Sequence, residues 1–227
     1  MKDLSSDQTP APTLEDVARR AEVSTATVSR CLTKPDVVRP QTRERIEAAI
    51  AELGYTPHLG ARALASNRTG TIGVVIPTME NAIFARGLQA MEEALADQNI
   101  TLLVATSNYE PEREFEKIRT MVARGVDGLA LIGFARPPEA HQFLAARGCP
   151  YVLLWNYRKT SPHPCIGFDN QRAAETMTER VLEFGHRKIA MIAGRAEGND
   201  RAAARVAGVK AALAHKAGNK PVGGVAV

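Results

Sequence analysis

Residues 13–32, TLEDVARRAEVSTATVSRCL, constrain the fold of this chain more than any other stretch. They read as two short amphipathic helices joined by a tight turn. Leu14, Val17, Ala18 and Ala21 recur at i, i+3, i+4 and i+7, which makes one buried stripe. Thr13 stands before that stripe with Asp16 three residues on, an N-cap with an acidic partner in the first turn. Glu22-Val23 makes the turn, and Val23 is apolar enough to fill the angle between the helices. Ser24 then caps a second helix with Val28, Cys31 and Leu32 on its inner face. The outer face is Thr25, Ala26, Ser29 and Arg30: small, hydroxylated, with one guanidinium. A helix lying in a DNA major groove needs such a face. Short side chains let the backbone approach the base edges. Hydroxyls and the helix N-terminus bind phosphate, and an arginine reads guanine O6 and N7 with two parallel hydrogen bonds. Taken alone, the pattern also fits a surface helical hairpin with a polar outer face.

The continuation narrows the choice. The pieces LEDVARRAEVSTATVSR, RPQTRERIEAAIAELGYTP, ARALASNRTGTIGVVIP and, later, GHRKIAMIAG with RVAGV follow one another from Thr13 to about Ala214. On these pieces the chain resembles the lactose repressor and galactose repressor family of bacterial transcription regulators. The resemblance implies a DNA-binding role for Thr13, Ser24, Thr25, Ala26, Thr27, Ser29 and Arg30. It also implies that 58–66, HLGARALAS, is a hinge helix that folds on DNA. Such a helix sits in the minor groove with Ala63, Leu64 and Asn67 at the contact. Leu64 would be the apolar wedge that unstacks one base step. Apart from the resemblance, this Ala-rich segment is too short to be a stable helix in water; the lesser alternative is a linker whose Leu64 packs on the third helix.

That third helix begins at Pro40, a residue suited to the first helical position, and has Ile46, Ala49, Ile50 and Leu53 on its inner stripe. Gly54 ends it. Arg39 stands where the family usually has a Ser or Thr cap. It either contacts phosphate or weakens this helix end.

From Thr71 the periodicity changes. TIGVVIP, ITLLVATS, VDGLALIG and PYVLLW are short apolar runs rich in β-branched residues. Between them lie helical stretches at 84–98, 112–124 and 138–147. Apolar strands alternating with helices make a parallel sheet covered on both faces. After Ile166-Gly167-Phe168-Asp169 a helix runs to Phe184, the segment KIAMIAG reads as a strand, and a helix follows from about Asp200 to His215. The expected architecture is thus an all-α helix-turn-helix domain plus an α/β domain of parallel sheets. The resemblance makes the latter periplasmic-binding-protein-like, with an incomplete second lobe. The boundaries are a disordered tail at 1–12, the helix-turn-helix at 13–57, hinge and linker at 58–70, first lobe at 71–160 and partial second lobe at 161–227.

Open α/β sheets bind ligands at the carboxyl ends of their strands. That rule selects the loops at 77–84, 107–111, 133–137, 155–158 and 194–200. Arg205, in RAAARVAGV, matches the family arginine that reaches an effector across the cleft; by itself it would read as a helix-surface residue. Phe84 either lines the cleft or packs in the core. Asn156 stands where many relatives have Asp, and Trp155 beside it either stacks on a sugar or packs. Asp169 either holds Arg205 or a ligand hydroxyl, or caps the helix after it.

The chain has 44% hydrophobic and 24% charged residues and a net charge of +4, which suits a protein that meets a polyanion. Cys31, Cys149 and Cys165 form no CxxC pair and suggest reduced thiols in a cytoplasm. The first residues lack the apolar core of a signal peptide, and no apolar run is long enough for a bilayer. No P-loop, dinucleotide fingerprint, serine elbow or metal-ligand spacing is present, so no catalytic residue, metal or cofactor is expected. The expected partners are double-stranded operator DNA, a small sugar or sugar-acid effector, and a second copy in a homodimer, with no membrane. CIGFDN and the loop before it resemble gluconate-type repressors. The alternatives are a free sugar-binding protein, an enzyme on the same scaffold, or a truncated fragment insensitive to effector. On the last reading the chain binds DNA weakly and with little sequence preference.

Overall fold

The computed structural model describes residues 11–56 and 68–217. The expected hinge helix, with Ala63, Leu64 and Asn67, lies outside the described residues. The chain divides into two compact units, Met1–Thr69 and Gly70–Val227.

In the first unit, α1 spans Leu14–Arg20, α2 Thr25–Thr33 and α3 Pro40–Leu53, with a 3-10 turn at Pro35–Val37. The expected caps are in place. Thr13 and Asp16 form a reciprocal capping box, in which the Asp16 N–H donates to Thr13 Oγ1 (3.2 Å) and the Thr13 N–H to Asp16 Oδ2 (2.9 Å). These bonds hold the Asp16 carboxyl below its ordinary pKa. Ser24 Oγ accepts from the Thr27 N–H at 3.2 Å and opens α2. Arg39 makes no side-chain cap, and Pro40 occupies the first turn of α3. Gly54, at φ +63°, ends α3 in the left-handed region that a side chain resists. Val17, Ala18, Val28, Cys31, Ile46, Ala49 and Tyr55 close the small core between the three helices. Glu22 sits in the α1–α2 turn at φ +53°.

The second unit is an α/β layer structure. The strands are β1 (Thr71–Ile76), β2 (Thr101–Thr106), β3 (Gly128–Ile132), β4 (Tyr151–Leu154) and β5 (Cys165–Ile166). All pair in parallel, in the order β2-β1-β3-β4-β5. Helix α4 (Ala82–Ala96) covers one face; α5 (Pro111–Ala123) and α6 (Pro138–Ala146) cover the other. Successive strand residues point to opposite faces. Val74, Ile76, Ala130 and Ile132 therefore meet Phe84 on the α4 side, while Val75, Leu129 and Leu131 meet Ile118, Met121 and Leu144 on the other. This double burial explains why the strands read as continuous apolar runs. The remaining helices, α7 (Asn170–Glu183) and α8 (Asp200–Ala217), pack against one another around Leu182, Val209 and Leu213. Gly208 makes the close approach possible, since a Cβ there would meet the Gln171 carbonyl.

Three expectations need correction. Helix α4 starts at Ala82, where the Asn81 side chain caps the Ile83 N–H, rather than at Phe84. The first sheet runs past 160, because Cys165 and Ile166 pair with Leu153 and Leu154. The segment 188–194 is not a strand, because none of the described strands ladders with it. Its side chains nevertheless alternate. Ile189 and Met191 lean on the α7–α8 cluster, while Ile192 is fully exposed.

Candidate functional site

Two surfaces collect the residues singled out in the sequence. The first is the outer face of α2. Thr25, Ala26, Ser29 and Arg30 are all exposed, and Arg30 makes no ion pair among the described residues. Thr13 and Ser24 have their hydroxyl groups committed to caps. Thr27 is half-buried, with its Oγ1 at 2.8 Å from Ser24 Oγ. The capped N-terminus fixes the direction of the helix, and its small side chains leave the backbone accessible.

The second surface lies at the carboxyl ends of β1, β3 and β4. Trp155 follows β4 at φ +61°, a conformation uncommon for a bulky residue. Its ring meets Phe84 edge-on, with centroids 5.5 Å apart, and lies so close to α4 that a Cβ on Gly87 would strike it. Phe84 itself is buried in the sheet core. The backbone turn at Trp155 is pinned by Asn170, whose Nδ2 reaches the carbonyls of Trp155 (3.1 Å) and Phe168 (3.3 Å). It also turns Asn156 inward, to 3% exposure.

Asn156 leads to the main junction. Its Nδ2 donates to Asp200 Oδ2 at 2.7 Å, and the same oxygen accepts the Phe134 N–H at 2.8 Å. Arg201 Nη1 donates to Asp200 Oδ1 at 3.0 Å. The Asp200 and Arg201 side chains lie over Gly133, which at φ +70° has no room for a Cβ beneath them. Beside them Arg136 Nη2 donates to the Gly133 carbonyl at 2.8 Å and faces Glu114 Oε1 at 3.2 Å. Arg136 Nε and Nη1 are buried and have no partner among the described residues. Burial pushes the Glu114 carboxyl up to about 7, against the opposing pull of Arg136 and Arg201. The same burial holds both guanidinium groups below their ordinary pKa. Ser107, Tyr109, Ile132 and Ala135 complete a narrow pocket with Glu114 and Arg201. Only about 10 Å³ of it is solvent-accessible, roughly one water.

Arg205 does not meet Asp169. Its Nη1 donates to Asn170 Oδ1 at 2.6 Å, while Asp169 caps α7 by accepting the Arg172 N–H at 2.9 Å. The junction therefore brings Asn156 and Arg205 into one network through Asn170. Phe84 is left in the core and Asp169 at a helix end. Glu114, Arg136, Asn170, Asp200 and Arg201 were missed. One signal existed for Glu114. It shares the i, i+4, i+7 stripe of Ile118 and Met121, so a carboxylate falls on an apolar face. Asp200 closes a loop that the strand-end rule had selected. Among the described residues no cluster of His, Cys, Asp and Glu is arranged to hold a metal ion.

The chain thus combines a small three-helix unit, with an exposed, capped second helix, and a parallel α/β unit with a polar junction at its strand ends. Comparison with known proteins assigns both units to one family. Residues 13–58 match the lacI family of bacterial regulatory proteins. Residues 69–225 match the periplasmic binding proteins and sugar binding domain of the LacI family. The chain belongs to that family. It is 35% identical over 190 residues to the HTH-type transcriptional regulator GntR of Pseudomonas aeruginosa, covering 84% of this chain and 55% of the relative. It is 32% identical over 201 residues to catabolite control protein A of Priestia megaterium, covering 88% of this chain and 60% of the relative. A LacI family regulator from Silicibacter pomeroyi superposes with a TM-score of 0.80 at 31% identity, covering 90% of this chain and 62% of that one. The lac repressor dimer bound to operator and the anti-inducer ONPF superposes with a TM-score of 0.75 at 27% identity and the same coverage. The chain thus spans little more than half the length of the curated relatives it matches.

Proposed function

We propose that this chain is a sequence-specific DNA-binding transcriptional regulator, a repressor released or enhanced by a small sugar or sugar-acid effector. In this reading residues 13–57 bind DNA, 58–70 link, and the α/β unit from 71 onward holds the effector across two lobes. The observation that carries it is α2: a helix capped by Ser24 whose exposed face is Thr25, Ala26, Ser29 and Arg30. Thr25, Ala26 and Arg30 read base edges, and the N-terminal turns of α1 and α2, with Thr13, Ser24, Thr27 and Ser29, hold phosphates. Two copies read two half-sites, so the working form is a homodimer on double-stranded DNA. The protein acts in the cytoplasm and catalyses no reaction. No helix among the described residues is long and apolar enough to cross a membrane.

The effector residues on this reading are Asn156 and Arg205, as the sequence suggested, joined by Asn170 and Arg201. Phe84 supports the site from the core by bracing Trp155, and Asp169 by capping α7. The test is selection of duplexes from a random pool by the purified chain, followed by mobility shift. Recovery of a two-fold repeat with half-sites about one helical turn apart supports the reading. Equal binding to every duplex refutes sequence-specific recognition.

A further inference from the structure

We propose that Asp200 is an internal stand-in for the ligand: its carboxylate fills the anion position of the strand-end junction, and an effector must displace it with an anion of its own. The inference rests on the effector reading of this junction.

Three features point to it. First, the Asp200 carboxylate has three donors from three separate segments: the Phe134 N–H after β3, Asn156 Nδ2 after β4, and Arg201 on α8. Carboxyl ends of parallel strands are where open α/β sheets bind ligands. Here a side chain of the protein occupies that place, and the pocket beside it, lined by Glu114 and Arg201, holds about one water. A sugar enters only when the first turn of α8 moves aside.

Second, the charges are unequal. Arg136, Arg201 and Arg205 gather around Glu114 and Asp200, three guanidinium groups against two carboxylates. Arg205 is satisfied by the neutral carbonyl of Asn170. Two nitrogens of Arg136 are buried without a partner among the described residues.

Third, a neutral occupant that expelled Asp200 would leave Arg201, 8% exposed at its side chain, without its nearest counter-ion. A buried charge stripped of its partner is strongly unfavourable. A carboxylate or phosphate group on the ligand avoids that cost. The site therefore selects anionic ligands over neutral ones, and Asp200 sets the threshold that the ligand must exceed.

The test uses the full chain. Asp200→Ala lowers thermal stability. Tens of millimolar formate, added as a free carboxylate, restores much of the loss; matched sodium chloride and formamide do not. Equal recovery in formamide, or none in formate, overturns the anion site. A second arm titrates D-gluconate, D-glucose 6-phosphate and D-glucose against the fluorescence of Trp155, the single tryptophan, which adjoins Asn156. The wild type responds to an anionic probe before glucose, and Asp200→Ala binds that probe about tenfold more tightly. A carboxylate or a phosphate source shows in which of the first two probes responds. Glucose binding as tight as that of both anions sinks the inference and leaves the effector reading standing. Silence of all three in both proteins, with formate rescue absent, removes the effector site as well.

Discussion

Arg205 Nη1 and Asn170 Oδ1 meet at 2.6 Å across the α7–α8 interface. A guanidinium that reads as a surface group in the sequence is held by the first residue of the neighbouring helix. Asn170 is 1% exposed and serves the Trp155 and Phe168 carbonyls with its other end. It therefore ties α8 to the end of β4. Asn170→Ala should destabilise the α/β unit by about 2–3 kcal/mol, since buried groups lose their partners together. Urea unfolding followed by Trp155 fluorescence measures the loss. A change below about 0.5 kcal/mol would mean that the bridge is incidental to stability.

Arg30 faces outward on α2 with no ion pair among the described residues. Arg30→Ala should cost about 1–3 kcal/mol on the selected DNA site and relax one base preference. Uniform weakening on all duplexes would instead assign Arg30 to a phosphate.

Ser24→Ala tests the helix behind that face. Loss of the Thr27 N–H···Oγ bond should destabilise the three-helix unit by about 1 kcal/mol. Ser24→Asp should retain most of the stability but weaken DNA binding, because the new carboxylate faces the phosphates. Circular dichroism melting and a mobility shift separate the two effects.

Two groups with opposite shifts shape the pH dependence of stability. His141 Nδ1 lies 2.8 Å from the Tyr151 hydroxyl, and His163 Nδ1 lies 2.7 Å from the same oxygen. The two imidazole rings stack at 4.1 Å. Burial, then His163 and Arg136, pull the His141 pKa from the ordinary 6.5 down to about 4. In that window the unfolded chain binds the proton first, so stability falls as pH drops from 6.5 toward 4. Glu114 runs the other way. Its pKa of about 7 lies above the ordinary 4.5, so the folded chain binds the proton first and stability falls as pH rises from 4.5 through 7. His141→Asn should flatten the acid limb of a denaturant-midpoint profile, and Glu114→Gln the neutral limb. Unchanged slopes in both variants would show that other groups govern the profile.

The helix-turn-helix and the first sheet were legible because their signals are local. Thr13 with Asp16, Ser24 and Gly54 mark helix ends through bonds to residues at most four positions away, and Pro40 marks one by its fixed φ and missing N–H. The β1–β4 runs announce themselves by burial on both faces. The junction was less legible because its partners are remote in sequence: Phe134 with Asp200, Asn156 with Asp200, Asn170 with Arg205. Composition does not encode which asparagine meets which arginine. The segment 188–194 has the alternation of a strand, but periodicity describes side chains only and cannot provide a neighbour for the backbone to ladder with.

That segment has a consequence for how the protein behaves in solution. Ile189 and Met191 are tucked against α7 and α8, while Ile192 projects into water beside backbone groups that no described strand uses. An extended edge with an apolar side chain is a template on which another chain can hydrogen-bond. Concentrated samples should therefore cluster edge to edge, and light scattering should rise steeply with concentration. Ile192→Lys, a charge set on the solvent side of the edge, should suppress that clustering and leave the melting temperature of the α/β unit unaltered.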